Sequence, residues 1–225
     1  MKLFDVKWKI QTAGPSPDDN NRTEVFLFGC EKAKSGNPCK GCFNSVTWDD
    51  SVVTITHTPE EIAEKLIEFS PNKYITIGGG EPTDQIEELI TLCKILKKND
   101  FHILVYTWKS LHDIIEIKYG DYFREKTIKL LNYIDILVDG DFRIDEKVYN
   151  EDLGDGAFNS VGSANQIVWD VNRYKHALWQ QSMNVVPYIT GEAMSNIKGL
   201  WIDKEHNNDL KYVVDDLNKE QKVYI

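Results

Sequence analysis

The chain has 225 residues, which is long enough for one domain with a sizeable core and does not require two. Hydrophobic residues make up 41% of the chain and charged residues 28%, so neither a disordered nor a fibrous protein is indicated. The formal net charge of −10 disfavours direct binding of nucleic acid, because an acidic surface repels phosphates.

No segment approaches the roughly 20 consecutive apolar residues that span a bilayer, and the first residues lack the apolar core of a signal peptide. We therefore expect a cytoplasmic protein with no membrane partner. The chain has four cysteines, and three of them lie close together at positions 30, 39 and 42. Such a cluster in a reducing compartment favours metal binding over a disulfide scaffold.

The first part of the chain predicts strand, loop and then helix. Residues 11–22 (QTAGPSPDDNNR) are typical of a loop after a short first strand, and residues 23–28 (TEVFLF) predict a strand that ends at Gly29, just before Cys30. A helix is predicted after Thr58, its N-cap, and Pro59. Its apolar face would comprise Ile62, Leu66 and Phe69.

Strands and helices alternate through the middle of the chain. The predicted strands are residues 73–77, 101–106 and 134–138, and the predicted helical stretches are residues 85–98, 111–117 and 127–131. This alternation predicts an α/β fold with a mainly parallel sheet. Because ligands bind at the carboxyl ends of parallel strands, we expect Cys30, Gly79, Thr107 and Asp139 to share one rim.

The segment Cys30-EKAKSGNP-Cys39-KG-Cys42 supplies three thiols on one loop. A four-iron cluster normally takes four cysteines, so three ligands leave one iron open to a substrate. The loop therefore predicts a 4Fe–4S cluster with one open iron, bound by Cys30, Cys39 and Cys42.

The chain resembles the radical S-adenosylmethionine enzymes and, within them, the activating proteins of anaerobic ribonucleoside-triphosphate reductase. Several stretches within residues 20–171 carry the resemblance, namely EVFLFGC, CKGCFNSVTWD, ITIGGGEPTD, VYTWKSL, and YIDILVDGDF followed by SVGSANQIVWDV. The order of the glycine motif after the cysteines is more specific than either motif alone.

The resemblance implies that the open iron chelates S-adenosylmethionine, which is cleaved reductively to a 5′-deoxyadenosyl radical. It also implies which residues bind this cofactor. Gly79, Gly80 and Glu81 would contact its methionine end, and Thr107, Asp139 and Asn165 would hold its carboxylate or ribose. Phe43, which follows the last cysteine, is a further cofactor-binding candidate.

One feature departs from the family pattern: eight residues separate Cys30 from Cys39, where the family usually has three. The additional loop length costs only about 1 kcal/mol of closure entropy, so cluster binding remains compatible with it. The longer loop would change what lies beside the cluster.

The same residues also fit other interpretations. The cysteines fit a structural zinc site with His57 or Cys93 as the fourth ligand, and the glycine motif fits an ordinary strand-to-helix turn. Cys93 lies on the apolar stripe of its helix and is expected to pack there. Asp139 and Asn165 fit local turns, and His102 fits a core or edge position.

The resemblance implies a partial (β/α) barrel of the radical S-adenosylmethionine type. We expect residues 1–171 to form this core, with the cluster loop at 29–43, and residues 172–225 to form an extension packed on it. The implied activity installs a glycyl radical on the reductase as protein substrate, with electrons from a flavodoxin- or ferredoxin-like donor. The alternatives are a small-molecule enzyme such as a 7-carboxy-7-deazaguanine synthase, and a zinc-stabilised interaction module.

Overall fold

The computed structural model describes residues 1–11, 21–49, 51–52, 54–148 and 161–171. The predicted extension at residues 172–225 lies outside the described residues, so its packing on the core stays a prediction. None of the helices in the described ranges is long and apolar enough to cross a membrane.

The described residues form one sheet of seven strands flanked by helices. The strands are β1 (Lys2–Gln11), β2 (Asn21–Leu27), β3 (Ile55–Thr56), β4 (Tyr74–Gly79), β5 (His102–Tyr106), β6 (Ile136–Asp139) and β7 (Ile167–Asp170). The helices are α1 (Glu31–Lys34), α2 (Pro59–Phe69), α3 (Ile86–Lys98), α4 (Leu111–Ile115) and α5 (Asp121–Leu131).

The strand order is β3-β1-β2-β4-β5-β6-β7. The central strands β2, β4, β5 and β6 are parallel to one another, whereas β1 pairs antiparallel with β2 and β3, and β7 pairs antiparallel with β6. The predicted α/β class and its parallel centre are confirmed. Because β3 and β7 are the two edges of the sheet, these strands do not close into a barrel, and the partial-barrel curvature stays a prediction.

The main core lies between the sheet and its helices. Alternate residues of the parallel strands face this layer, because successive side chains in a strand point to opposite faces. They pack against the apolar stripes of the helices, and the buried set includes Val25, Leu27, Ile75, Ile77, Ile103, Val105, Ile62, Leu66, Leu89 and Leu96. Cys93 is fully buried in this core, which confirms its packing role.

Helix α2 begins as predicted, with Thr58 and Glu61 in a reciprocal capping box and Pro59 in the first turn. Its last residue differs from the expectation. Phe69 is 52% exposed and lies against Trp8 of β1, with ring centroids 6.1 Å apart. Because the helix ends at Phe69, this ring contacts the antiparallel side of the sheet. Leu66 is the last residue of α2 that is buried in the core.

Strand β2 starts earlier than predicted, because Asn21 and Arg22 belong to it; residues 12–20 lie outside the described ranges. Arg22 is fully buried, and its guanidinium donates to Thr76 Oγ1 at 2.8 Å and to the Ile75 carbonyl at 2.5 Å. Burial lowers the pKa of Arg22 to about 10. The polar composition of the segment concealed this role, since a buried arginine depends on acceptors from other strands.

His102 lies at the start of β5, within 3.3 Å of the Arg22 guanidinium through its Nδ1 atom. Burial and the Arg22 charge lower the pKa of His102 to about 4, so the ring is neutral near pH 7 and accepts through Nδ1. The predicted core or edge position of His102 is confirmed.

Candidate active site at the ends of the parallel strands

A pocket lies where the parallel strands end. It is lined by Cys30, Ala33, Cys39, Cys42, Trp48, Gly79, Gly80, Glu81, Tyr106, Thr107, Trp108, Gly140, Phe142 and Gln166. The cysteines follow β2, Gly79 ends β4 and Gly80 follows it, and Thr107 and Gly140 follow β5 and β6. Carboxyl ends of parallel strands meet at one edge of a sheet, and this brings Cys30, Gly79 and Thr107 together as expected.

Cys30 is positioned by the residue before it. The Gly29 N–H donates to the Thr47 carbonyl at 2.8 Å, and the Gly29 carbonyl accepts from the Glu81 N–H at 2.7 Å. Cys30 itself is half-buried at the start of α1. Burial raises the pKa of the Cys30 thiol, and the charges of Glu81 and Asp84 act in the same direction.

Cys39 and Cys42 lie on one turn, in which the Cys42 N–H donates to the Cys39 carbonyl at 3.2 Å. Gly41 has a φ of 72°, the left-handed region that glycine adopts most readily. Both thiols are half-buried and face the same pocket as Cys30. The two cysteines are therefore presented to one site by a turn that depends on glycine.

The number of thiols bears on whether the site takes one metal ion or a cluster. A structural zinc ion is held by four protein ligands, so three cysteines would need a fourth partner in the pocket. A 4Fe–4S cluster held by three cysteines instead keeps one iron open.

The fourth ligands considered for zinc lie elsewhere. Cys93 lies on the core-facing side of α3, and burial raises the pKa of its thiol far above the ordinary value. His57 lies beside Glu61 at the start of α2, in a groove with Trp8. Neither side chain lines the cysteine pocket, so the residues present fit a cluster better than a zinc site.

The glycine motif packs against the end of β2. Gly79 has a φ of 99°, and a Cβ atom there would lie 2.6 Å from the backbone N and O of Leu27. A Cβ on Gly80 would lie 2.0 Å from the Gly29 carbonyl oxygen. The Gly80 N–H also donates to the Leu27 carbonyl at 2.9 Å. Because Gly79 and Gly80 have no side chains, the backbone just before the cysteine loop packs directly on the motif.

The carboxylate of Glu81 is buried, and both of its oxygens accept hydrogen bonds. It accepts hydrogen bonds from the Thr83 N–H at 3.0 Å, the Thr107 hydroxyl at 2.8 Å and the Trp108 N–H at 2.9 Å, and from the Thr83 hydroxyl. Lys109 Nζ lies 3.8 Å away. Glu81 therefore joins the ends of β4 and β5, and its side chain shapes the pocket by holding Thr107 in place.

Three predicted site residues do not line the pocket. Phe43 is 62% exposed and packs on Phe142, with ring centroids 4.4 Å apart. Asp139 is buried with its carboxylate accepting from the Leu111 N–H, and burial raises its pKa to about 6. The Asn165 amide donates to the Asp141 carbonyl at 2.8 Å. The cofactor-binding roles of these three residues stay predictions.

Two residues at or beside the pocket were missed from the sequence. Gln166 lines the pocket and donates to the Gly140 carbonyl at 2.9 Å; it lies next to the predicted Asn165, within the same quoted stretch. Lys32 was also missed, although its Nζ atom lies 3.7 Å from Cys39 Sγ. A lysine in a polar loop gives no sequence signal of burial.

An open α/β sheet with a cysteine-lined pocket at the ends of its parallel strands defines a protein that binds a metal cofactor. Residues 19–169 match the family described as "4Fe-4S single cluster domain". The match covers well over half of the chain, so the protein belongs to this family.

Curated relatives are named as activating enzymes. The chain is 28% identical over 157 residues to the anaerobic ribonucleoside-triphosphate reductase-activating protein of Haemophilus influenzae, covering 67% of this chain and 88% of the relative. It is 25% identical to the protein of the same name from Pasteurella multocida, covering 69% and 91%. It is 32% identical to the pyruvate formate-lyase-activating enzyme of Clostridium pasteurianum, covering 44% and 41%.

These matches confirm the membership that the motifs predict. The chain is a radical S-adenosylmethionine enzyme of the activating type, and its two cofactors are a 4Fe–4S cluster and S-adenosylmethionine.

Proposed function

We propose that this protein installs a glycyl radical on an anaerobic ribonucleoside-triphosphate reductase, with Cys30, Cys39 and Cys42 as the ligands of its cluster. The observation that carries the proposal is that the three thiols of one loop and the glycine motif line the same pocket. Relatives named for activating this reductase match 157 and 163 residues of the chain, against 103 for the relative named for activating pyruvate formate-lyase, which supports this protein substrate over others.

When bound, the cluster and S-adenosylmethionine supply a 5′-deoxyadenosyl radical, which abstracts a hydrogen atom from a backbone glycine of the reductase. The chain's own residues position and enclose these groups. Gly79 and Gly80 place the motif backbone at the pocket wall, and Glu81 holds Thr107 beside it. In this proposal these four residues face S-adenosylmethionine.

The residues behind the pocket support it from the side of β6. Asp139 accepts from the first N–H of α4, and Asn165 holds the Asp141 carbonyl. In this proposal both residues remain candidates for holding S-adenosylmethionine, and so does Phe43 at the rim, where its ring lies on Phe142. These contacts keep the loops after β6 and before β7 against the cysteine loop.

The enzyme in this proposal works in the cytoplasm with a separate electron donor. A small flavodoxin- or ferredoxin-like protein supplies the electron, and the thiol ligands suit the reducing cytoplasm. Residues 1–171 form the partial (β/α) barrel core in this proposal, and residues 172–225 pack on it.

The test is an anaerobic reconstitution of the cluster followed by addition of reductant and S-adenosylmethionine. We expect 5′-deoxyadenosine to form and, when the reductase is present, a glycyl radical to appear on it by electron paramagnetic resonance. Cleavage without a glycyl radical on the reductase would contradict the protein substrate, as would multiple turnovers on a deazapurine precursor. Purified protein with zinc but without iron or sulfide would contradict the enzyme itself.

A further inference from the structure

The stretch between Cys30 and Cys39 contains α1, and this helix carries a lysine that points into the site. The side chain of Lys32 is only 13% exposed, although lysine is rarely buried without partners. Its Nζ atom lies 3.7 Å from Cys39 Sγ, 3.0 Å from Asp141 Oδ2 and 5.0 Å from the centroid of the Trp108 ring. Three contacts from different parts of the chain thus fix the ammonium group beside a proposed ligand sulfur.

We propose that Lys32 is a positioning residue that raises the reduction potential of the cluster through its N–H···S contact with Cys39. This inference rests on the proposed function, because it takes Cys39 as a cluster ligand. Reduction adds a negative charge to the cluster, so a fixed cation at a ligand sulfur stabilises the reduced form more than the oxidised form. Hydrogen bonds to the sulfurs and the net charge around them are among the factors that set iron–sulfur potentials.

Asp141 acts in the opposite sense. Its carboxylate holds Lys32 at 3.0 Å and places a negative charge near the same sulfur. The carboxylate therefore offsets part of the effect of the lysine on the cluster, while keeping the ammonium group in place. The Lys32–Asp141 pair joins the cysteine loop to the loop after β6, and the two charges have opposite effects on reduction.

A second lysine near the pocket differs in its surroundings. Lys109 Nζ lies 2.8 Å from Asp84 and 3.8 Å from Glu81, and it donates to the Thr83 hydroxyl at 3.0 Å. Two carboxylates compensate its charge, and its hydrogen bonds go to oxygens. Among the lysines of the described residues, Lys32 is the one that donates a hydrogen bond to a cysteine sulfur.

The loop between Cys30 and Cys39 carries the lysine that contacts Cys39. Lys32 lies within the eight residues that separate Cys30 from Cys39, and the helical turn of α1 directs its side chain back across Cys39. A shorter loop would lack the residues that form α1. Lys32 thus supplies a charge to the cluster from within the ligand loop itself.

The test is a redox titration of the reconstituted holoenzyme, monitored by electron paramagnetic resonance of the reduced cluster. Lys32→Met keeps the length of the side chain and removes its charge, and we expect the ratio of reduced to oxidised cluster at a fixed potential to fall about tenfold. For a one-electron couple this corresponds to about 59 mV. Asp141→Asn removes the opposing charge and is expected to shift the potential in the positive direction.

Lys34→Met is the matched control, because Lys34 lies on the same helix and pairs at the surface with Glu31 at 3.8 Å. We expect the cluster of Lys34→Met to keep the wild-type potential. Lys32→Arg keeps a positive charge, so its potential should lie between those of Lys32→Met and the wild type. A purely structural clamp would lose iron in both pair variants and would not move the potential in opposite directions.

Iron and sulfide are measured for every variant. Full cluster content with unchanged potentials, or shifts of Lys32→Met and Asp141→Asn in the same direction, would overturn the inference. If Lys32→Met fails to hold iron, Asp141→Asn still has to show the positive shift. Wild-type protein that binds no cluster would instead contradict the proposed function, so the two failures are distinguishable.

Discussion

The carbonyl oxygen of Gly29 accepts a hydrogen bond from the backbone N–H of Glu81 at 2.7 Å. This contact attaches the residue before Cys30 directly to the end of the glycine motif. The cysteine loop and the motif are therefore one structural unit, and a change in either is transmitted to the other through backbone atoms. The close approach requires that residue 80 has no side chain.

Gly80→Ala is expected to disrupt the site. The added Cβ would lie 2.0 Å from the Gly29 carbonyl oxygen, which belongs to the backbone and cannot rotate away. We expect a loss of roughly 1–3 kcal/mol in the free energy of unfolding, together with reduced iron content. Gly78→Ala is the control, since its Cβ would meet the Tyr106 ring at an ordinary 3.6 Å. Equal iron content and stability in the two variants would contradict this account.

Removal of individual thiols separates ligands from core residues. Cys39→Ala and Cys42→Ala are expected to abolish the cluster and the cleavage of S-adenosylmethionine. Cys93→Ala should keep both and lower stability by about 1 kcal/mol, because it leaves a small cavity beneath α3. Iron and sulfide analysis after anaerobic reconstitution checks this, and loss of iron in Cys93→Ala would show that the ligand assignment is wrong.

Glu81→Gln tests the buried network behind the motif. An amide nitrogen in place of one carboxylate oxygen would face donors such as the Trp108 N–H or the Thr107 hydroxyl. We expect a loss of about 1–3 kcal/mol in stability and weaker binding of S-adenosylmethionine, measured by thermal unfolding and equilibrium dialysis. Glu31→Gln, at an exposed position on α1, is the control and should match the wild type. If the Glu81→Gln variant bound S-adenosylmethionine as tightly as the wild type, Glu81 would not be part of the binding site.

Asp139 is expected to make stability depend on pH. Burial raises its pKa from 3.8 to about 6, so between these values the folded protein holds a proton that the unfolded chain has released. The contribution of Asp139 to the free energy of unfolding therefore falls as pH rises from about 4 to about 6. Asp139→Asn should abolish this contribution.

Denaturant unfolding of wild type and Asp139→Asn at several pH values checks this expectation. The difference between the two proteins should grow in favour of the variant as pH rises through this window. Asp145→Asn, at an exposed position in the short 3-10 helix after β6, serves as the control. Parallel stability curves for wild type and Asp139→Asn would contradict the role of Asp139.

The sequence by itself determined most of the local elements and their order. The compact apolar runs of β2 and β5, and the N-cap before α2, depend on residues close in the chain, so local patterns were sufficient to predict them. The α/β class follows from that order. The shared rim of Cys30, Gly79 and Thr107 follows from the class, because parallel strands end at one edge.

Only the tertiary structure decided which distant residues meet in that pocket. Lys32 and Asp141 are 109 positions apart, and Arg22 and Thr76 are 54 apart, so no local pattern indicated either contact. The antiparallel β7 was likewise not predicted, since its direction depends on its pairing with β6. Burial of a charge depends on the acceptors that packing brings to it, and these are properties of the assembled fold.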